Sequence, residues 1–373
     1  MAKGLGTTLT KIPTSSITDS SVGITNLDTT GTASSSTFLK GDLSWGTVSV
    51  SGKINTAGSD PSSNIAGDIW YADNIFKMTS DLSTVGGTWS AGGNAVTSLQ
   101  YPCNGTGTLN AGLFSCGWGT GAGHSAATAE YNINSTWTSV TVCPSGHASG
   151  GGFGVQTAAV VFAGTRIPEP RYDNVTTHEW SGTAWASGGN YPDNRNSVKG
   201  AGTLSSGLGA GGTSTPATSP TNTQVRKYDG TSWSESTSLV WGSEAHAVTG
   251  SSESSAMLMV GGGDPNGSQS FDGTSWTVQN DMPRNCAAEP GASGSGVNAA
   301  MCFGGSPATD LTTIEFDGTS WSTTGYHTQS RYGCYGSGSV TEALMSGGLN
   351  AGSTITNTEE WRKASVITMV GTV

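Results

Sequence analysis

Three histidines follow tryptophans at short range in this chain. His147, His246 and His327 lie 10, 13 and 6 residues after Trp137, Trp233 and Trp321. If those tryptophans mark a repeating unit, one histidine falls in the same connection of units two, four and six. Such a set could gather imidazoles around one divalent metal at a channel mouth. The unequal offsets place the rings at different depths, so surface loop histidines are the simpler reading and no metal is assigned. Six cysteines, at 103, 116, 143, 286, 302 and 334, form no Cys-x-x-Cys pair. Cys116 (LFSCGW) and Cys302 (AMCFGG) lie in apolar runs, where a thiol acts as a small hydrophobe. Structural thiols are expected, not a disulfide framework or a zinc site. A glycosidase needs two carboxylates across a cleft. Glu169, Asp173, Asp193, Glu244 and Asp264 fall in loop-like stretches, and solvated loop acids account for them. No Gly-rich phosphate loop precedes a helix. No catalytic residue and no cofactor is assigned.

Aromatic residues offer a binding chemistry instead. Trp118, Tyr172, Tyr191, Trp241 and Tyr326 lie off the tryptophan register, in or beside long loops. Rings in such places can stack on the sugars of a surface glycan or meet a neighbouring protein. The structural alternative is that they plug the wide end of a central channel. Composition excludes other partners. The net charge is −11 and basic residues form no cluster, so nucleic acid is not expected. No apolar run approaches a membrane span. The first residues, MAKGLGTTLTKIP, lack the apolar core of a signal peptide, so direct Sec export is not expected. Four Asn-x-Ser/Thr sequons, at Asn104, Asn134, Asn174 and Asn266, are read as chance in a chain rich in serine and threonine.

The elements that would position these residues come from a repeat. An aromatic residue, a polar turn and a tryptophan recur at Tyr131–Trp137, Trp180–Trp185, Tyr228–Trp233, Phe271–Trp276 and Phe316–Trp321, with a half-copy at Trp361. From Trp89 the tryptophans advance by 48, 48, 48, 43 and 45 residues, the spacing of propeller blades. Three copies share DGTSW. Its Asp can hydrogen-bond the following amides and its Gly accepts a positive φ. Glycine is abundant, at 57 of 373 residues, which suits many short strands joined by tight turns. Residues 186–233 divide into four short strands, here a to d from the axis outward, with the tryptophan in d.

This layout resembles the kelch-type β-propeller over residues 85 to 363. The glycine pairs Gly261–Gly263, Gly304–Gly305 and Gly347–Gly348 and the aromatic–turn–Trp element carry the resemblance. CGWG at 116–119 and FAGT at 162–165 depart from it. The resemblance implies that the glycine pairs let strands approach near the channel and that the aromatics pack between blades. Some kelch propellers are copper radical oxidases, but the Tyr–Cys crosslink and paired His ligands of that chemistry have no match here. Six a–b–c sets follow Trp89 but only five d strands do. The sixth d strand comes from GTWSA around Trp89 or from the C-terminal ASVITMV. Val366 stands where the latter would need a tryptophan, which favours Trp89.

Antiparallel alternation puts the short a–b and c–d turns on one face and the long, varied b–c and d–a loops on the other. Loop diversity on a rigid scaffold is where binding is usually placed. The N-terminal region and the tail should both leave from the short-turn face. Residues 1–79 lie outside the repeat. SSSTFLKGDLSWGTV (34–48) resembles a string found in bacteriophage tail-fibre and related virion proteins, with Lys40, Leu43 and Ser44 departing from it. AGDIWYADNIFKM (66–78) is similar to a strand–turn–strand element of such proteins. So few apolar residues could hardly build a core alone, and a trimer could share one between chains. The expectation is an all-β protein: a six-bladed kelch-like β-propeller (80–363) after a small extended N-terminal anchoring region (1–79), with a tail (364–373). As a non-enzymatic virion component, a fibre or decoration protein assembled in the host cytoplasm, it would contact other virion proteins through 1–79 and a host glycan or receptor through its loops. The rival is a propeller glycosidase or oxidase acting on host glycans.

Overall fold

The computed structural model describes residues 86–363 apart from 120–122, 167–173, 215–221, 253–256, 262–265, 306 and 308, together with four short strands nearer the N-terminus. The chain divides into two units, Met1–Val85 with Ser365–Val373, and Gly86–Ala364. In the first, Thr37–Leu39 pairs antiparallel with Trp45–Thr47. Ile69–Ala72 pairs likewise with Ile75–Met78, the strand pair expected at 66–78.

The second unit is a β-propeller, and no helix occurs among the described residues. The first strand of each sheet touches the first strand of the next. The circuit runs from Asn104–Thr108 through Gly151–Val155, Lys199–Thr203, Ala247–Thr249, Gly291–Gly296 and Tyr335–Gly338, and returns to Asn104–Thr108. Such a circuit buries the innermost strands and leaves only short outer edges. Second strands are buried on both faces, as in Ala159–Phe162 and Ala300–Phe303. That is why they read as unbroken apolar runs without alternation.

Five sheets have the four-stranded form. The expectation of six such blades is corrected here, because the sheet over Leu99–Ser139 has five strands. The reason is local. Its second strand, Ala111–Gly119, passes through a register shift between Ser115 and Gly117 and stays in the sheet. It then picks up Leu99–Gln100 as an extra partner. Elsewhere the equivalent extension leaves the sheet and forms a separate ribbon, as in His147–Ala148 with Thr165–Arg166 and Arg195–Asn196 with Thr213–Ser214.

The aromatic–turn–Trp element acts as one unit. Across each c–d strand pair the aromatic faces the tryptophan in register: Tyr131 with Trp137, Trp180 with Trp185, Tyr228 with Trp233, Phe271 with Trp276, Phe316 with Trp321 and Trp361 with Trp89. In the DGTSW turns one oxygen of Asp229, Asp272 and Asp317 accepts two backbone N–H groups at 2.7–2.8 Å. Those amides hold the three carboxyls below the usual range. Each indole then donates to the preceding blade. Trp89 reaches Thr313 Oγ1 (2.8 Å), Trp137 reaches Thr358 Oγ1 (2.8 Å) and Trp233 reaches Thr177 Oγ1 (3.0 Å). Trp321 reaches Ser268 Oγ (3.1 Å), and Trp185 and Trp276 reach the carbonyls of Thr141 and Thr237.

The last blade is completed by Thr88–Ala91, which pairs with Thr358–Arg362. The strand around Trp89 therefore closes the ring, as the count of strands favoured. Thr88 lies opposite Arg362, and the Lys363 amide donates to Thr341 O in the a–b hairpin. Both ends of the propeller unit thus lie on the face of the short hairpins.

At the end of the second strand, or within it in Ala111–Gly119, the backbone turns left-handed. Gly211–Gly212, Gly304–Gly305 and Gly347–Gly348 have φ between +63° and +92°. Cys116–Gly117 and Ala163–Gly164, which break the glycine pattern in sequence, adopt positive φ as well. The amide of the second residue donates to the next blade: Gly164 to Arg195 O, Gly212 to Ser243 O, Gly305 to Arg331 O and Gly348 to Leu99 O, all at 2.7–2.9 Å. A Cβ on Gly212 would stand 2.6 Å from Asn196 O.

Two outcomes follow. Trp89→Ala should cost about 3–5 kcal/mol, read as a lower urea midpoint. Gly212→Ala should cost about 1–3 kcal/mol from left-handed strain and the clash with Asn196 O, whereas Ala163→Gly should change the midpoint little.

Candidate binding face and the polar pockets behind it

Where the loops meet the innermost strands, a second set of backbone bonds joins neighbouring blades. Just ahead of each innermost strand stands a residue with positive φ: Tyr101, Ser149, Ser197, Ala245, Glu289 and Gly333. Their amides link blade to blade. Tyr101 N–H donates to Gly333 O, Ser149 to Tyr101 O, Ser197 to Ser149 O, Glu289 to Ala245 O and Gly333 to Ala288 O, at 2.6–3.0 Å. Five of the six residues are not glycine, so only Gly333 signals this conformation in the sequence.

Inside the ring lies a cavity of about 70 Å³. Lys199 crosses it to Glu289 with Nζ–Oε2 at 2.6 Å, and both side chains are largely buried. His246 lines the same cavity and is fully buried. Burial holds its pKa down to about 3. His147 and His327 are also buried. The three histidines expected on surface loops are therefore interior residues. The reason is that the loops carrying them turn inward to meet the innermost strands.

The predicted binding aromatics separate. Tyr191 is in the core, 5.1 Å from the Phe162 ring and 4.8 Å from Trp233. At 1% exposure it cannot stack on a ligand. Trp118 is half-buried on the extended second strand, 4.7 Å from the His124 ring. Trp241 is half-buried, and its carbonyl accepts from Gln269. Tyr326 is 66% exposed at the end of Trp321–Tyr326. Tyr172 lies outside the described residues. Tyr101 and Tyr332, which sequence reasoning missed, meet at 6.3 Å. Both stand three residues ahead of an innermost strand, a shared position that could have flagged them. Gln100 pairs with Trp118 across the sheet, so Trp118 lies beside the segment that carries Tyr101.

Of the loop acids, Asp193 is held by Arg195 (3.3 Å) and Arg226 (2.9 Å). Glu244 accepts from the Thr213 hydroxyl. Glu169, Asp173 and Asp264 lie outside the described residues. All six cysteines are buried free thiols.

Behind the face, four blades carry a polar pocket on one plan. A side chain four residues ahead of the innermost strand bonds the carbonyl at the left-handed turn of its own blade. Arg195 reaches Gly211 O (3.1 Å), Ser243 reaches Gly261 O (3.0 Å), Arg331 reaches Gly347 O (3.4 Å) and His147 Nδ1 reaches Ala163 O (3.0 Å). A third-strand residue faces each of three pockets, two positions before the aromatic. Arg331 there meets Glu359 at 2.6 Å, and Arg195 shares Asp193 with Arg226. His147 meets His178, with ring centroids 5.3 Å apart. Ser145 Oγ lies 2.7 Å from His147 Nε2 and 3.1 Å from His178 Nε2. Asn174, fully buried, stands 2.7 Å from His147 Nδ1.

The described sheets define a β-propeller. No family model and no curated protein matches the sequence. Among solved structures, that of YjhT is similar, with a TM-score of 0.57 and 13% identity over 71% of this chain and 95% of that chain. At that identity the likeness is one of fold.

Lys199→Met leaves Glu289 buried without a partner and should cost about 3–5 kcal/mol. Adding Glu289→Gln should recover most of it in urea unfolding. His246 has an ordinary pKa of 6.5 and a folded value of about 3. Between those values the unfolded chain binds the proton and the folded chain does not. Its contribution to stability is whole above pH 6.5 and falls as pH drops toward 3. His246→Gln should flatten part of that slope in unfolding midpoints taken from pH 7 to pH 4.

Proposed function

We propose that this chain is a structural protein of a bacteriophage particle, a fibre or decoration protein whose propeller displays its loop face for host-surface or glycan binding. The ring is read as six-bladed and kelch-like, with the five-stranded sheet as the sixth blade. The supporting observation is the placement of both ends of the propeller, at Thr88 and Lys363, on the face opposite the long loops. A unit held by that side presents its loops outward. The segments at 34–48 and 66–78 resemble virion fibre proteins and supply the anchor to other virion proteins. Trp118, Trp241 and Tyr326, together with Tyr101 and Tyr332, supply rings for sugar faces. Residues 1–79 act as a shared stem, and a trimer would give them a common core. The reading assigns no catalytic step.

The test pairs binding with turnover. Full-length protein on a glycan array should retain a restricted set of envelope polysaccharides, and Trp118→Ala with Tyr326→Ala should lower retention at least tenfold. Release of reducing sugar or peroxide from those polysaccharides would replace this reading with the enzymatic one. Absence from particles purified from the infected host, by mass spectrometry, would remove the virion assignment.

A further inference from the structure

We infer that the pocket between Cys143, His147 and His178 binds one divalent metal ion of the zinc type. The thiol and the two imidazoles each offer a ligand atom, all within 4.8 Å of one another, and all three residues are buried. The comparison among blades carries the inference. In two other blades the same position holds an arginine, and a carboxylate neutralises it: Asp193 beside Arg195, Glu359 beside Arg331. In this blade the arginine is replaced by the shorter His147, and the residue equivalent to Glu359 is His178. No arginine stands at that position here; the side chains around it are lone-pair donors, and the Arg166 guanidinium is near enough to act on His147. A bound metal would stand where those guanidinium groups stand.

Part of a supporting shell is in place at His147. A metal-bound histidine usually donates its other ring N–H to a carbonyl or carboxylate. His147 Nδ1 lies 3.0 Å from Ala163 O and 2.7 Å from Asn174 Nδ2, and the other ring nitrogen, Nε2, faces Ser145. Ser145 Oγ sits between the two Nε2 atoms, where a fourth ligand or a metal-bound water belongs. His178 Nδ1 is buried and has no hydrogen-bond partner. A set of one sulfur and two nitrogens selects zinc-type ions over magnesium or calcium, which take oxygen ligands. Binding turns the Cys143 thiol into a thiolate and releases its proton to solvent.

The full chain, stripped with a chelator, is titrated with Co²⁺ and then with Zn²⁺. One Co²⁺ per chain should produce a thiolate-to-cobalt absorption band, and Zn²⁺ should displace it. Cys143→Ser should abolish the band, and His178→Gln should weaken Co²⁺ at least tenfold, with the folded near-ultraviolet circular dichroism kept in both. Zn²⁺ should raise the unfolding temperature of the wild type but not of His178→Gln. No band, or a band that survives Cys143→Ser, overturns the proposal. So does equal Co²⁺ affinity in the wild type and His178→Gln.

Discussion

Every outer-strand tryptophan of the propeller gives its indole N–H to the blade before it, and the ring depends on that direction of donation. The bond is worth about 1 kcal/mol net, but a buried indole left without an acceptor loses more. The acceptors are two hydroxyls of Thr, Thr177 and Thr313, a third at Thr358, a serine at Ser268 and two carbonyls. A blade therefore cannot be satisfied alone. The rule also explains the closure. Trp89 enters before any blade is complete, and its acceptor, Thr313, arrives 224 residues later.

A second constraint lies nearer the axis. The chain turns left-handed at two places in each blade, once before the innermost strand and once after the second. Non-glycine residues in that conformation cost on the order of 1 kcal/mol each. The cost is offset by the inter-blade amide bonds that those turns make. Because the turns place carbonyls at fixed points, four blades have a slot filled by one polar side chain. Arg195, Ser243, Arg331 and His147 are four solutions to one geometric problem. Charged solutions bring a carboxylate with them, since a buried charge needs a partner. The histidine solution brings a second imidazole and a thiol, and that difference is chemical.

Much of the fold was legible. The aromatic–turn–Trp period located the c–d hairpins, and counting them pointed to Trp89 as the closing strand. The DGTSW turn could be read because Asp and Gly announce their own conformations. The left-handed turns at Cys116 and Ala163 could not, because those side chains carry no mark of a positive φ. The same blindness hid the extension of Ala111–Gly119 and the fifth strand it recruits. The loop face was legible only in outline. Tyr191 looked like a loop residue, yet its loop folds against Phe162 and Trp233. His178 was passed over because strand pairing, not sequence spacing, brings it to His147. The repeat does contain that signal: His178, Arg226 and Glu359 all stand two residues before the third-strand aromatic.

The ring is locked by its own leading strand, Thr88–Ala91. Amide hydrogen exchange along Thr88–Ala91 tests it most directly. Protection matching that of Thr358–Arg362, lost together with it in a single opening event, is the predicted result. Exchange at the rate of an unpaired segment, with Thr358–Arg362 still protected, would contradict it.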